Sequence, residues 1–221
     1  MTDQKNILIT DQMARYYALS AQRHDSVYDK PERQEDLDEL HEKVAEALRG
    51  HKVIELACGS GYWTETIAQT AASVLATDIN SEMLELAAAR KLDNVELRQA
   101  DAFDLPADLG EFTACFAGLW WSHVKREEQE RFLAHLRARL GKNILLVLID
   151  NTYVEGSSTS IARTDAEGNT YQIRRAPDGQ RYEVIKNFPS DSTLRKKIGS
   201  SVREIRIARL EHHWMLSCRL K

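Results

Sequence analysis

The chain of 221 residues has no unbroken aliphatic run longer than Ile144 to Ile149, far short of the ~20 residues a membrane-spanning helix needs. Cysteine is scarce: Cys58, Cys115 and Cys218 are scattered, odd in number and without metal-ligand spacing. That excludes a disulfide-stapled scaffold and suits a reducing compartment. Basic charge is not in surplus either, with 30 Lys+Arg against 34 Asp+Glu and a formal net charge of −4. A dedicated nucleic-acid binder needs a basic surface to meet phosphates, so nucleic acid is not an expected partner. The opening MTDQKNILITDQ lacks the basic start and apolar core of a signal peptide. His212 and His213 have no companion at ligand spacing, and no metal site is expected. What is present is an apolar share of 43%, enough for one continuous core. The expectation is a cytoplasmic protein of one domain, residues 1–221, with no membrane partner.

Hydrophobic periodicity divides that domain. Residues 1–50 read as a polar helical cap, in which Leu37, Leu40, Val44, Ala47 and Leu48 recur at helical steps until Gly50. From residue 52 to 150, short apolar runs alternate with helical stretches. Strands are expected at 53–57, 74–77, 95–98, 112–118 and 143–149, with helices at 62–72, 81–90 and 126–140. Such alternation implies a parallel sheet covered on both faces, with ligands at the carboxyl ends of its strands. Residues 151–190 break the pattern as an inserted hairpin, with 170–175 and 181–187 joined through Pro177-Asp178-Gly179. Residues 191–221 give a short helix and two closing strands, and their local excess of Lys and Arg reads as a surface patch.

The strongest signal is Val53-Ile-Glu-Leu-Ala-Cys-Gly-Ser-Gly61, where the first strand runs into a helix. Gly59 and Gly61 permit a sharp turn and let a ligand approach the backbone. A dinucleotide site would carry a third glycine where Thr64 stands, and a pyrophosphate would be repelled by Glu55 in the strand. Glu55 suits an ammonium group instead. Asp78, at the end of the second strand, is placed to accept from both hydroxyls of a ribose. Asp101-Ala102-Phe103, after the third strand, offers a carboxylate for an exocyclic amine and a ring to flank a purine. A ligand with an amino-acid end, a ribose and an adenine, and without phosphates, fits these groups. S-adenosyl-L-methionine is such a ligand.

On Glu55-Leu-Ala-Cys-Gly-Ser-Gly61, Ala-Thr-Asp78-Ile-Asn, Asp101-Ala-Phe and Phe116-Ala-Gly-Leu-Trp-Trp-Ser-His123, the chain resembles the class I S-adenosylmethionine-dependent methyltransferases, in their small-molecule branch. The resemblance covers residues 10–150 most clearly. It implies an α/β, Rossmann-like doubly wound fold with a mostly parallel seven-stranded sheet. It also implies Glu55, Ala57, Gly59, Ser60 and Gly61 near the methionine end, and Asp78, Ile79 and Met83 around the ribose. Asp101, Ala102 and Phe103 fall at the adenine, Ala117 and Gly118 at the end of the fourth strand, and Tyr16 and Tyr28 in a segment folding over the site. Thr113 departs from the family, which usually has an acidic residue there.

His123 ends the loop after the fourth strand and is the expected general base or acceptor contact, because imidazole titrates near neutrality. Trp120 and Trp121 are candidate walls for a planar or cationic acceptor, with one of the two expected to bury against the next helix. Tyr28 and Tyr153 are further acceptor candidates, and the 151–190 insertion is read as a lid or a homodimer contact. The expected function is methyl transfer to N, O or S of a small metabolite. The alternatives are a methyltransferase for protein or RNA, and a non-catalytic cofactor-binding protein.

Overall fold

The computed structural model describes residues 2–221, with side chains described from residue 11 onward. The cap is α1 (Thr2–Leu19), a 3-10 turn Ala21–Val27, a second turn Pro31–Arg33 and α2 (Gln34–Ala47). There follow β1 (Lys52–Leu56), α3 (Tyr62–Ala68), β2 (Ser73–Asp78), α4 (Ser81–Ala88), β3 (Val95–Gln99), β4 (Ala114–Gly118), α5 (Gln129–Leu140) and β5 (Leu145–Asn151). The insertion holds β6 (Arg163–Thr164), β7 (Thr170–Arg175) and β8 (Arg181–Ile185), and the chain closes with α6 (Asp191–Ile198), β9 (Val202–Arg209) and β10 (His213–Leu220).

Seven strands form one sheet in the order β3-β2-β1-β4-β5-β10-β9. The first five are parallel, and β10 runs antiparallel to both β5 and β9. The order reverses between β1 and β4, which opens a crevice beyond the carboxyl ends of those two strands. Strand alternation sends side chains to opposite faces. Ile54, Cys115, Leu146 and Leu216 pack on one side with Phe132 and Leu133 of α5 and Leu194 of α6. Val53, Ala114, Phe116 and Val147 pack on the other with Leu37, Leu40 and Val44 of α2 and Trp63 and Ile67 of α3. Glu55 shares the face of Val53, so its carboxyl is directed at α3 rather than at α5.

The α/β fold and the seven-stranded, mostly parallel sheet agree with expectation. Element ends are where the two diverge: α3 stops at Ala68, α5 starts at Gln129, β4 starts at Ala114 rather than 112, and β5 runs Leu145–Asn151 rather than 143–149. Strand β6, two residues paired to β7, was not anticipated, because so short a strand has no periodicity. Hairpin β7–β8 stands on α1, where Tyr16 meets Tyr182 with ring centroids 6.0 Å apart. Cap and insertion therefore meet each other over the crevice. Among the described residues no helix is long and apolar enough to cross a membrane.

Candidate functional site

The turn after β1 is held by its own backbone. Cys58 N–H donates to Thr77 O at 2.9 Å, Gly61 N–H donates to Cys58 O at 3.1 Å, and Gly59 N–H donates to the Asp78 carboxylate at 2.9 Å. Gly59 and Gly61 both have positive φ, 57° and 81°, which is the conformation that favours glycine. A Cβ on Gly59 would lie 2.9 Å from the His24 ring, and one on Gly61 would lie 3.1 Å from Ala87 Cβ and Arg90 Cδ. Backbone shape and close neighbours thus select the same residue. The second carboxylate oxygen of Asp78 accepts from Asn80 N–H at 2.9 Å, tying the turn to the start of α4.

Thr64, where a dinucleotide site would have glycine, donates its hydroxyl proton to Glu55 at 2.6 Å. Among the described residues this is the one hydrogen bond that partners the buried Glu55 carboxyl. Burial, reinforced by the nearby Asp78 charge, pushes Glu55 up to about 8. An unfolded glutamate ionises near pH ~4.3, so between about pH 4.5 and pH 8 the folded chain keeps a proton the unfolded chain has released. Stability contributed by this group falls as pH rises through that window. We therefore expect Glu55→Gln to melt higher than the parent by more than ~4 °C near pH 8, with the gap narrowing toward pH 5. Melting curves across that range check it, and a pH-independent gap would remove the protonation assignment.

A cavity of about 600 Å³ opens along this turn. It is lined on the sheet side by Glu55, Ala57, Gly59, Asp78, Ile79 and Met83, with Asp101, Ala102, Phe103, Gly118 and Trp120 further along. The cap brings Tyr16, Tyr17, His24 and Tyr28 to it, and His123 is in its wall. Asp101 accepts from Phe103 N–H at 2.8 Å, which folds that loop so that its ring meets Trp120 at 5.4 Å. These sequence-predicted residues come together around one space.

Others do not line it. Ser60 and Gly61 face the cap latch, where Arg90 donates to Asp25 and to Ser60 O at 2.8 Å each, and the Ser60 hydroxyl donates to Asp25. Ala117, within β4, points into the core. Trp121 is 1% exposed and packs against Phe132, so of the tryptophan pair only Trp120 faces the cavity. Tyr153 is 38% exposed and does not line the cavity, although its ring rests on Phe188, which does.

His123 differs from the expected base. Its Nδ1 is bonded to Ile185 O, so that nitrogen carries the proton, and its Nε2 accepts from the Tyr17 hydroxyl at 2.9 Å. Burial, with Lys186 and Arg174 nearby, pushes it down to about 3. The imidazole is neutral across the physiological range and a weak proton acceptor. Sequence reasoning missed His24, Lys30, Arg33 and Lys186, all in the lining. Their only sequence signal is polarity in segments that look like solvated cap and loop.

The cavity suits a ligand with a cationic amino-acid end, a ribose and a purine. Glu55 lies where an ammonium would restore its charge, Asp78 retains lone pairs beyond its two backbone bonds, and Phe103 offers a ring beside Asp101. Comparison with known proteins points to the same ligand. A model of the methyltransferase domain matches residues 53–143. The structure of the DhpI-SAM-HEP complex superposes with a TM-score of 0.80 at 27% identity, covering 96% of this chain and 97% of that one. An uncharacterized methyltransferase of Bacillus licheniformis is 23% identical over 62% of this chain and 64% of its own length. The demethylmenaquinone methyltransferase of Clavibacter sepedonicus is 39% identical over 30% of this chain and 28% of its own length.

Proposed function

We propose that the chain is a class I S-adenosylmethionine-dependent methyltransferase that methylates N, O or S of a small metabolite. The observation that carries this reading is the continuity of the cavity. Its sheet side holds the cofactor-type residues, and its other walls come from the cap and the insertion, joined by Arg174 to the Tyr17 hydroxyl at 3.2 Å and Arg33 to Ser157 at 3.1 Å. Walls built that close favour a small acceptor over a polymer. DhpI, solved with SAM and HEP together, is consistent with a cavity for two ligands.

In this reading Glu55 receives the ammonium, the Gly59–Gly61 turn carries the methionine end, and Asp78 binds the ribose hydroxyls. Ile79, Met83, Asp101, Ala102 and Phe103 surround the adenosine. Ser60, Gly61 and Ala117 act from behind as the support of the turn and of β4. When bound, the cofactor supplies an activated sulfonium methyl group with a neutral leaving group. What remains for the chain is to align the acceptor and exclude water. Trp120, Tyr28 and the Tyr17–His123 pair form the surface that can do so, with His123 fixing the Tyr17 hydroxyl rather than taking a proton.

Calorimetry with S-adenosylmethionine, S-adenosylhomocysteine and NAD tests the cofactor half. Heat from the first two and none from NAD is expected, and the reverse pattern would overturn the reading. For the acceptor, S-adenosylhomocysteine release is expected over a metabolite panel. Methyl incorporation into RNA or protein, with none into metabolites, would reject a small acceptor.

A further inference from the structure

The cavity is uneven in charge. Its acids, Glu55, Asp78, Asp101 and Glu128, belong to the sheet half, whereas Arg23, Lys30, Arg33, Arg174, Arg175 and Lys186 come from the cap and the insertion. Two of these cations are already answered. Lys186 is paired with Asp150 at 2.8 Å, and Lys30 lies 3.9 Å from Glu32 and donates to Ser157 O.

Arg33 and Arg174 have no direct ion pair: among the described residues neither has a carboxylate within 4.0 Å, and Glu32 reaches Arg33 only through the Ser157 hydroxyl, which donates to it at 2.8 Å. Arg33 is 8% exposed, and its donors meet only Ser157, at 3.1 Å to Oγ and 3.2 Å to O. Asp36, three residues on, is committed to His212 N–H at 2.7 Å and His213 at 3.1 Å. Arg174 is half-buried and donates to the Tyr17 hydroxyl at 3.2 Å and to Gln172 Oε1 at 3.0 Å. The neutral His123 beyond Tyr17 brings no counter-charge. A guanidinium cannot shed its proton, and its fork of donors matches an oxyanion. Holding two of them out of water with only neutral partners is costly unless an anion completes the site.

We propose that the acceptor is a small oxyanion, of carboxylate or phosphate type, anchored by Arg174 with Arg33 contributing to the same positive wall. The inference rests on the small-molecule methyltransferase reading and narrows it. It also turns the expectation for the tryptophan wall away from a cationic acceptor.

The test uses the full chain loaded with S-adenosylhomocysteine, titrated by calorimetry with acetate, inorganic phosphate and tetramethylammonium. Saturable heat is expected from at least one anion, identifying which oxyanion type fits, and none from tetramethylammonium. Arg174→Gln and, separately, Arg33→Gln should weaken the anion about tenfold or more, the equivalent of ~1.4 kcal/mol. Arg174→Lys should recover part of the loss, and melting curves verify that each variant is folded. Anion heat unchanged in both glutamine variants, heat from tetramethylammonium alone, or no anion heat while S-adenosylhomocysteine still binds would each overturn the oxyanion inference alone. Absence of S-adenosylhomocysteine binding would instead overturn the reading beneath it.

Discussion

Asp78→Ala is expected to lower cofactor affinity by about 100-fold or more and to destabilise the fold by about 2 kcal/mol. Both effects come from one carboxylate with two duties. Inside the protein it accepts from Gly59 N–H and Asn80 N–H at 2.9 Å each, and it is 6% exposed. Removing it leaves buried donors unpaired, at roughly 1–3 kcal/mol each where water cannot reach them. Toward the cavity, its remaining lone pairs are those assigned to the ribose hydroxyls, and charge-assisted bonds of that kind contribute about 1.5–3 kcal/mol each. Asp78→Asn separates the duties. The amide keeps one acceptor oxygen and the local shape, so denaturant unfolding should show a smaller loss of stability while calorimetry still shows weakened binding. An Asp78→Ala protein that folds and binds S-adenosylmethionine as tightly as the parent would sink the ribose assignment.

Why the glycine turn and Asp78 could be read from sequence, and the basic wall could not, follows from the range over which each is encoded. Gly59, Gly61 and Glu55 lie within one strand–turn–helix unit, where positive φ and strand alternation act on neighbours. Asp78 ends the next parallel strand, in register with Gln99 of β3, so the βαβ unit itself fixes its place. The contacts that build the acceptor side join distant segments. Tyr17 and His123 are 106 residues apart, Arg33 and Ser157 are 124 apart, and Tyr17 and Arg174 are 157 apart. No periodicity announces such meetings, and an arginine in a polar loop looks the same whether it ends in water or in a cavity. His123 shows the complementary failure. Its position after β4 was legible, but the Ile185 carbonyl and the cations that keep it neutral arrive with the insertion. His213 likewise looked idle in sequence, yet it bonds Asp36 across 177 residues and pins α2 to the start of β10.

Lys186→Met is expected to destabilise the protein by about 3–5 kcal/mol, lowering the melting temperature by ~10 °C or so for a chain of this size. Lys186 follows β8 by one residue and sends its ammonium 2.8 Å from Asp150, near the carboxyl end of β5, where Asp150 is fully buried. That carboxylate also accepts from Ser122 N–H and Asn151 N–H at 2.8 Å each, so it ties the loop after β4 and the insertion to one strand end. The lysine holds Asp150 below the usual carboxylate range despite burial. Without it, two backbone donors remain for a charge sealed from water, and protonation becomes the relief. Asp150 would then bind a proton when folded that it releases when unfolded, so the variant's stability should fall as pH rises above ~4. Its deficit against the parent is therefore largest near neutrality and shrinks in acid. Asp150→Asn combined with Lys186→Met removes the orphaned charge and should recover a substantial part of the loss, because a neutral pair carries no desolvation penalty for an ion. Urea unfolding of the single and double variants at two pH values decides it. A double variant as unstable as Lys186→Met would show that packing of the lysine stem, rather than the buried charge, sets the cost.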